Sequence, residues 1–238
     1  MGISLEDLQN VWSALAGATS MNGANIMFIG ARLGDGTSDC AQNFAKLAAT
    51  RAARSVWLID LDFFVDKQFS SLGGANAKWQ GPFDMAFGKL PFWRAIPRTQ
   101  SDQGEGALVS YRVGKTKLFV SRFRREALQS GQSIQVGPAP DYWRTIRASI
   151  DVTVIDAPAL EKSRSGLALC AEMDGVVLVV NSDGDPRDAI DLRDEVLNRG
   201  GRILGVVVVN GRTSSRNKSA ANKNRHPSEQ NQAVADFA

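Results

Sequence analysis

The sequence predicts an α/β fold, with a doubly wound, mostly parallel sheet in one domain over residues 1–210. Strand-like runs alternate with helix-like segments along the chain, which is typical of strand–helix–strand units. Residues 152–155, 175–180 and 204–209 are almost continuously apolar and β-branched. Such runs indicate strands covered on both faces, as in the middle of a parallel sheet.

A helix, a strand and a second helix are predicted first. Residues 4–16 carry apolar side chains at helical spacing, and Ser4 is a suitable N-cap. The apolar residues 26–29 predict a buried strand, which a glycine-rich turn joins to a helix of small and apolar residues at 38–54. The next apolar run, residues 56–59, predicts a second short buried strand.

Residues 66–115 are the least regular part of the chain because glycines and prolines interrupt every pattern in it. We predict short helices at residues 82–88 and 91–96. Five aromatic residues gather in the same part, namely Trp79, Phe83, Phe87, Phe92 and Trp93. We expect them to pack in the core; an apolar patch that binds a partner is the alternative.

The remaining elements return to the strand–helix alternation. A strand is predicted at residues 117–121 and a helix near residues 142–149, before the three apolar strands. Between the last two strands lies a helix at residues 186–199, for which Asp185 is the candidate N-cap.

The charge of the chain is concentrated at its end. Residues 211–238 contain five basic and two acidic residues, whereas the rest of the chain holds 23 of each. We predict a disordered, basic, polar tail after a neutral domain. Nucleic acid is not expected as a partner of the domain, although the tail alone could contact nucleic acid or anionic lipid.

Several classes of protein are excluded by composition. The longest apolar runs are far shorter than the ~20 residues of a membrane-spanning helix, and no secretory signal is evident, so we predict a cytoplasmic protein. Cys40 and Cys170 lie far apart without a CxxC motif and are expected to be reduced, buried thiols. The only histidine, His226, lies in the tail, which excludes a catalytic triad or a histidine metal site in the domain.

Residues 30–38 form a glycine-rich turn between a strand and a helix, where a phosphate-binding loop is expected. Gly34 and Gly36 have the spacing of such a loop, and Ser38 stands where a hydroxyl would bind Mg²⁺. Thr37 stands where lysine would reach the β- and γ-phosphates, and a hydroxyl supplies no charge there. A plain strand–turn–helix connection is the alternative for this loop taken alone.

Carboxylates follow two of the predicted strands. Asp60 and Asp62 come directly after the strand at residues 56–59, and Asp156 follows the strand at residues 152–155. The carboxyl ends of parallel strands meet at the crevice where α/β folds bind ligands. Together with Ser38, these acids could hold the water shell of Mg²⁺.

These motifs together resemble the bacterial tyrosine kinases of capsule and exopolysaccharide systems, the BY-kinases, which are relatives of the MinD/ParA group of P-loop ATPases. The resemblance covers about residues 4–210. Residues 30–38 resemble the Walker A loop, residues 56–62 the Walker A′ motif and residues 152–158 the Walker B motif. Residues 174–210 resemble the end of the kinase domain.

The resemblance implies a P-loop NTPase-like fold of the MinD/ParA type that binds ATP or ADP with Mg²⁺. Contacts to the nucleotide would come from Arg32, Gly34, Asp35, Gly36, Thr37 and Ser38. Ser38, Asp60 and Asp156 would attend the metal, and Asp62, beside Asp60, would be the catalytic base. The implied partner is a membrane polysaccharide co-polymerase that recruits the chain to the inner membrane, and a homo-oligomer is a further implied assembly.

The chain also departs from the family pattern. The departures are Thr37 for the phosphate lysine, Asp39 for serine or threonine, Phe64 for the Walker A′ arginine, Ala159 for a Walker B proline, and Gln9 and Trp12 for two arginines of the N-terminal helix, where Glu6 is kept. Tyr111 and Tyr142 are the only tyrosines, so the C-terminal tyrosine cluster is missing. Arg32 has the offset of the signature lysine of MinD/ParA loops; a solvent-facing arginine is the alternative.

Three functions are compatible with these residues. We favour a degenerate regulatory partner of a polysaccharide co-polymerase with weak or absent ATP turnover. An active ATP-dependent tyrosine kinase or MinD/ParA-like ATPase is the alternative, because Asp60, Asp62 and Asp156 are retained. A ParA-type DNA-partitioning factor is disfavoured by the neutral domain.

Overall fold

A computed structural model describes residues 3–18, 23–73, 78–97 and 106–210 of the chain. The predicted tail, residues 211–238, lies outside the described residues. The helices are α1 (Leu5–Ala18), α2 (Thr37–Arg51), α3 (Lys67–Ser71), α4 (Pro140–Ser149), α5 (Ser165–Leu169) and α6 (Pro186–Asn198). None of the helices in the described ranges is both long and apolar enough to span a membrane.

Ten strands form two sheets within the described residues. They are β1 (Ala24–Gly30), β2 (Val56–Asp60), β3 (Trp79–Asp84), β4 (Trp93–Ile96), β5 (Leu108–Val113), β6 (Leu118–Phe123), β7 (Ser133–Val136), β8 (Val152–Asp156), β9 (Gly175–Asn181) and β10 (Ile203–Val209). The large sheet has the order β10-β9-β1-β8-β2-β6-β5-β3, and β4 pairs with β7 in a small antiparallel sheet. The first six strands of the large sheet are parallel, and β5 and β3 are antiparallel. The predicted mostly parallel α/β sheet is therefore confirmed.

The central strands are buried on both faces because helices pack against each side of the sheet. Every residue of β1, β2 and β8 is buried. On one face, α1, α2 and α3 cover an apolar cluster that contains Phe28 and Phe44, whose ring centroids lie 5.3 Å apart. On the other face, α4, α5 and α6 cover a second cluster that contains Ile155 and Trp143. This two-sided burial explains the continuously apolar runs of the sequence.

The two short helices predicted at residues 82–88 and 91–96 are wrong, because these segments belong to β3 and β4. In β3 five of the six residues are exposed, so this strand lacks the alternation that marks a half-buried strand. In β4 buried and exposed residues do alternate, but over four residues only. The elements α3, α5, β5 and β7 had no counterpart in the prediction.

The aromatic residues of the irregular segment divide between core and surface. Phe92 and Trp93 are buried in the cluster under α4, as expected for core packing. Phe87 is partly buried and packs against the same cluster, whereas Phe83 is exposed on β3. Cys40 and Cys170 are free and buried, in agreement with the expectation of reduced thiols.

Helix α1 uses one of its departures from the family pattern for packing. The Trp12 ring lies 6.3 Å from the ring of Phe44 in α2, and the guanidinium of Arg51 lies 5.3 Å from the Trp12 ring centroid. The residue that replaces a family arginine therefore helps to hold α1 against α2.

Candidate active site

The carboxyl ends of β1, β2 and β8 and the start of α2 surround a pocket of about 440 Å³. All residues that the sequence singled out for nucleotide, metal or catalysis line it: Arg32, Gly34, Asp35, Gly36, Thr37, Ser38, Asp60, Asp62 and Asp156. The structure thus brings the predicted residues together, and their binding and catalytic roles stay predictions.

Strand register places the two buried acids side by side. Asp60 is the last residue of β2 and Asp156 the last residue of β8, and these two residues are partners across the parallel pair. Beyond them, the backbone N–H of Leu61 donates to the carbonyl of Asp156 at 3.0 Å. Both carboxylates therefore sit at the carboxyl edge of the sheet, where α/β folds bind ligands.

The glycine-rich loop folds around one of its own side chains. Gly34 and Gly36 have φ angles of 95° and 88°, which a residue with a side chain rarely adopts. Between them, Asp35 is only 8% exposed, and its Oδ2 accepts a hydrogen bond from the backbone N–H of Arg32 at 2.8 Å. Burial raises the pKa of Asp35, while the backbone N–H groups of Arg32 and Ala31 oppose this shift. The carboxylate thus accepts N–H groups that a phosphate-binding loop offers to phosphate.

Thr37 closes the same loop from the other side. A Cβ atom at Gly30 would lie 2.5 Å from Oγ1 of Thr37 and 3.1 Å from Oδ2 of Asp35. The two side chains therefore pack directly over Gly30, and only glycine leaves room for them there. Neither side chain brings the positive charge that a phosphate lysine supplies.

Gln68 connects the two buried acids to the start of α2. Its backbone N–H donates to Oδ2 of Asp60 at 3.1 Å, and its Nε2 donates to Oδ2 of Asp156 at 2.6 Å and to the carbonyl of Ser38 at 2.8 Å. The other oxygen of Asp60 accepts the N–H of Asp62 at 2.9 Å. Both oxygens of Asp60 are therefore engaged by the protein itself.

The two acids titrate as a pair. Burial, together with the charge of Asp156, raises the pKa of Asp60 to about 7. Burial also raises the pKa of Asp156 to about 6, against the opposing effect of the polar side chains of Gln68 and Ser38. Two neighbouring carboxylates in a buried place do not readily carry two charges, so near neutral pH they favour one shared proton.

The pocket residues do not fit a Mg²⁺–nucleotide complex in this conformation. The described residues contain no group of three or more His, Cys, Asp or Glu side chains that could hold a metal. Oδ1 of Asp156 is the only carboxylate oxygen of the buried pair without a hydrogen-bond partner. The carboxylate of Asp35 takes up N–H groups of the loop, where the negative charge of phosphate would be repelled.

Arg32 is held by acids of the same chain. Its Nε and Nη2 donate to the two carboxylate oxygens of Asp188, each at 2.9 Å, and its Nη1 donates to Glu161 at 3.2 Å. Asp188 lies in the first turn of α6. The bidentate pair fastens the loop to α6, and the predicted contact of Arg32 with phosphate would require this pair to open.

Sequence reasoning missed three polar residues of the site. Lys162 forms an ion pair with the predicted base Asp62, and Lys67 lies near enough to lower the pKa of Asp156. Gln68 is 1% exposed. All three lie outside the recognised motifs, and only the buried position of a glutamine after an acidic turn marks Gln68 as unusual.

The fold and the glycine-rich loop define a P-loop NTPase-like α/β domain. Comparison of the sequence with protein-family models and with curated proteins gives no match. Among solved structures, the chimerical protein CapA2B2 is similar at 19% identity, with a TM-score of 0.54 over 86% of this chain and 83% of that chain. The kinase domain of the Escherichia coli tyrosine kinase ETK is similar at 14% identity, with a TM-score of 0.54 over 87% and 78% of the two chains. The BceF tyrosine kinase domain gives 18% identity and a TM-score of 0.52 over 86% and 74%.

These similarities establish that the chain has the fold of bacterial tyrosine kinase domains. The resemblance inferred from the loop and the acidic strand ends is therefore confirmed at the level of the fold. Identities of 14% to 19% leave the activity to be argued from the site itself.

Proposed function

We propose that the chain is a degenerate, kinase-fold regulatory protein of exopolysaccharide biosynthesis or export. It acts in the cytoplasm as a partner of a membrane polysaccharide co-polymerase, and its ATP turnover is weak or absent. The similarity to tyrosine kinase domains and the resemblance of the motifs support the biological system. The conformation of the loop supports the loss of turnover.

One observation carries the loss of turnover, namely the carboxylate of Asp35 inside the loop. An incoming phosphate would have to displace this carboxylate and would meet Thr37 where a lysine is needed. Removing a charged group that stabilises the transition state costs roughly 3 to 7 kcal/mol in phosphoryl and acyl transfer. Nucleotide therefore binds poorly to the native chain and is not turned over efficiently.

Calorimetric titration with MgATP tests this proposal. We expect no binding by the native chain up to about 1 mM nucleotide, the weak end of ligand affinities. The double variant Asp35→Ala/Thr37→Lys frees the loop and restores the cation, so it should bind at least about tenfold more tightly. Thr50→Lys adds the same charge at the far end of α2 and serves as the control. Micromolar affinity of the native chain together with steady ATP hydrolysis would overturn the proposal.

The mouth of the pocket supports a role in binding a protein partner. Leu33, Phe64 and Val65 are 67%, 46% and 53% exposed around it. Exposed apolar side chains grouped in one place are typical of interaction sites. Co-purification with a co-expressed polysaccharide co-polymerase should weaken in Phe64→Ser, whereas Phe83→Ser, a similarly exposed phenylalanine on β3, should leave it unchanged. Equal retention of the co-polymerase by both variants would argue against this surface.

An active tyrosine kinase or MinD/ParA-like ATPase is the second candidate. It is favoured by one observation, the presence of Asp60, Asp62 and Asp156 around the same pocket. Phosphotyrosine on a co-expressed partner that disappears in Asp62→Asn would support it. The ion pair between Asp62 and Lys162 would have to open before Asp62 could act as a base.

A further inference from the structure

We propose that the 440 Å³ pocket binds the basic segment of the same chain, residues 211–225, in place of a nucleotide. This inference rests on the proposed function, because it requires that nucleotide does not already occupy the pocket. The bound group is a lysine or arginine side chain that enters among the aspartates.

The pocket carries an excess of negative charge. Five aspartates line it, namely Asp35, Asp39, Asp60, Asp62 and Asp156, together with the cations Arg32, Lys67 and Lys162. Two of these cations are already paired, Arg32 with Asp188 and Glu161, and Lys162 with Asp62. Four carboxyl groups then face a single lysine, so a further cation is attracted even when the buried pair keeps one proton.

A second feature of the pocket indicates that a donor is missing. Asp156 is 3% exposed, and its Oδ1 has no hydrogen-bond partner. A buried carboxylate oxygen without a partner is costly, and a charged N–H donor satisfies it best. The long, flexible side chains of lysine and arginine can reach such a floor while their backbone stays at the mouth.

The sequence that follows β10 has the complementary charge. Residues 211–225 contain no acidic residue and five basic ones: Arg212, Arg216, Lys218, Lys223 and Arg225. Charge complementarity of this kind favours binding and makes it sensitive to salt.

The segment starts at the edge of the sheet where the pocket lies. Strands β10, β9 and β1 are parallel neighbours, so their carboxyl ends share one edge. Val209 pairs with Asn181, two residues beyond the position of β9 that pairs with Gly30. Two strand spacings separate β10 from β1, or about 10 Å, and six extended residues span about 20 Å. Residues from Arg212 onward can therefore reach the pocket, and the covalent connection keeps their local concentration high.

A nitroxide label in the segment of the full-length chain tests the proposal. Ser219→Cys supplies one accessible thiol, because Cys40 and Cys170 are buried. We expect the label to broaden the amide signals of residues 31–39 at low salt more than those of Gly23 and its neighbours at the opposite edge of the sheet. This selective broadening should disappear at about 0.5 M salt.

Charge variants identify the pocket as the binding site. Replacement of all five basic residues of the segment by glutamine should abolish the selective broadening, and Asp39→Lys should weaken it severalfold. Asp194→Lys changes an exposed aspartate on α6 outside the pocket and serves as the control. Broadening that is absent, uniform over the molecule, or unchanged by the five glutamines would overturn the proposal.

A mixed sample separates binding within one chain from binding between chains. Broadening of an unlabelled, ¹⁵N-enriched chain by a labelled chain of natural abundance would show binding to a second copy and would overturn the intramolecular form. MgATP titration of the five-glutamine variant separates this inference from the proposed function. Micromolar ATP binding by that variant would defeat the proposed loss of nucleotide binding, yet the label experiment would still report on the segment.

Discussion

At the scale of single residues, the carboxylate of Asp35 is the group on which the loss of nucleotide binding depends. Burial raises its pKa in the folded chain above the usual 3.8. The folded state therefore holds the proton more tightly than the unfolded state, and this contribution to stability is full below the unfolded pKa and is lost as pH rises through the folded pKa. Asp35→Asn does not titrate, and its side-chain oxygen can still accept the N–H of Arg32.

We therefore expect the native chain to lose more stability than Asp35→Asn between about pH 4 and about pH 7.5. Urea unfolding of both proteins at the two pH values measures the difference. A larger loss in the asparagine variant would mean that the carboxyl group is not held in a buried place.

Gly30 tests the packing of the loop. Gly30→Ala places a methyl group 2.5 Å from Oγ1 of Thr37, so the loop must shift, at a cost of about 1 to 3 kcal/mol in the free energy of unfolding. Gly17→Ala in α1 is the matched control, because a Cβ atom there meets no atom within 4 Å. This control should be neutral or should stabilise α1 by roughly 0.5 to 1 kcal/mol. Equal effects of the two alanines in urea unfolding would show that Thr37 and Asp35 do not fill the loop.

At the scale of elements, the short helix α3 depends on Gln68 for its attachment. The side chain of Gln68 bonds Asp156 and the backbone of Ser38, which ties α3 to β8 and α2. Gln68→Ala leaves the buried carboxylate of Asp156 without this donor, so we expect a loss of about 1 to 3 kcal/mol in the free energy of unfolding. Ser70→Ala, at an exposed position of the same helix, should change it by less than about 0.5 kcal/mol. The idea fails if urea denaturation ranks the two alanines equally.

The elements that could be predicted from the sequence are those with a dense local signal. The buried strands β1, β2, β8 and β9 were recognised because both faces demand apolar residues. The segments of β3 and β4 were misread as helices because proline and glycine dominated, and because pairing with β5 and β7 is a long-range property. A five-residue element such as α3 shows too few turns for helical spacing to be visible.

The same limit applies to the site. Spacing alone placed Ser38, Asp60 and Asp156 around one pocket, since strand ends and a helix start converge in any parallel sheet. The direction of each side chain could not be read from spacing. That Asp35 turns into the loop, and that Arg32 binds Asp188 from a helix 156 residues away, follow from tertiary packing only.

At the scale of the whole molecule, stability should be highest around the pocket floor and lowest at the antiparallel end of the sheet. All residues of β1 and β8 are buried, and these strands are flanked by parallel neighbours on both sides. Strand β3 forms one edge of the sheet, and five of its six residues are exposed. Amides in β1 and β8 should therefore exchange only on global unfolding, whereas those in β3 open locally.

Hydrogen exchange followed by mass spectrometry measures this gradient. We expect peptides from β3 to exchange roughly a hundredfold faster than peptides from β1 and β8, which corresponds to about 2.7 kcal/mol of opening free energy. Asp35→Asn provides an internal comparison, because a change in the loop should leave the exchange of β3 unaltered. Equal protection of β1 and β3 would mean that the sheet unfolds as one unit, and the acids of the pocket would then share the opening motions of the edge.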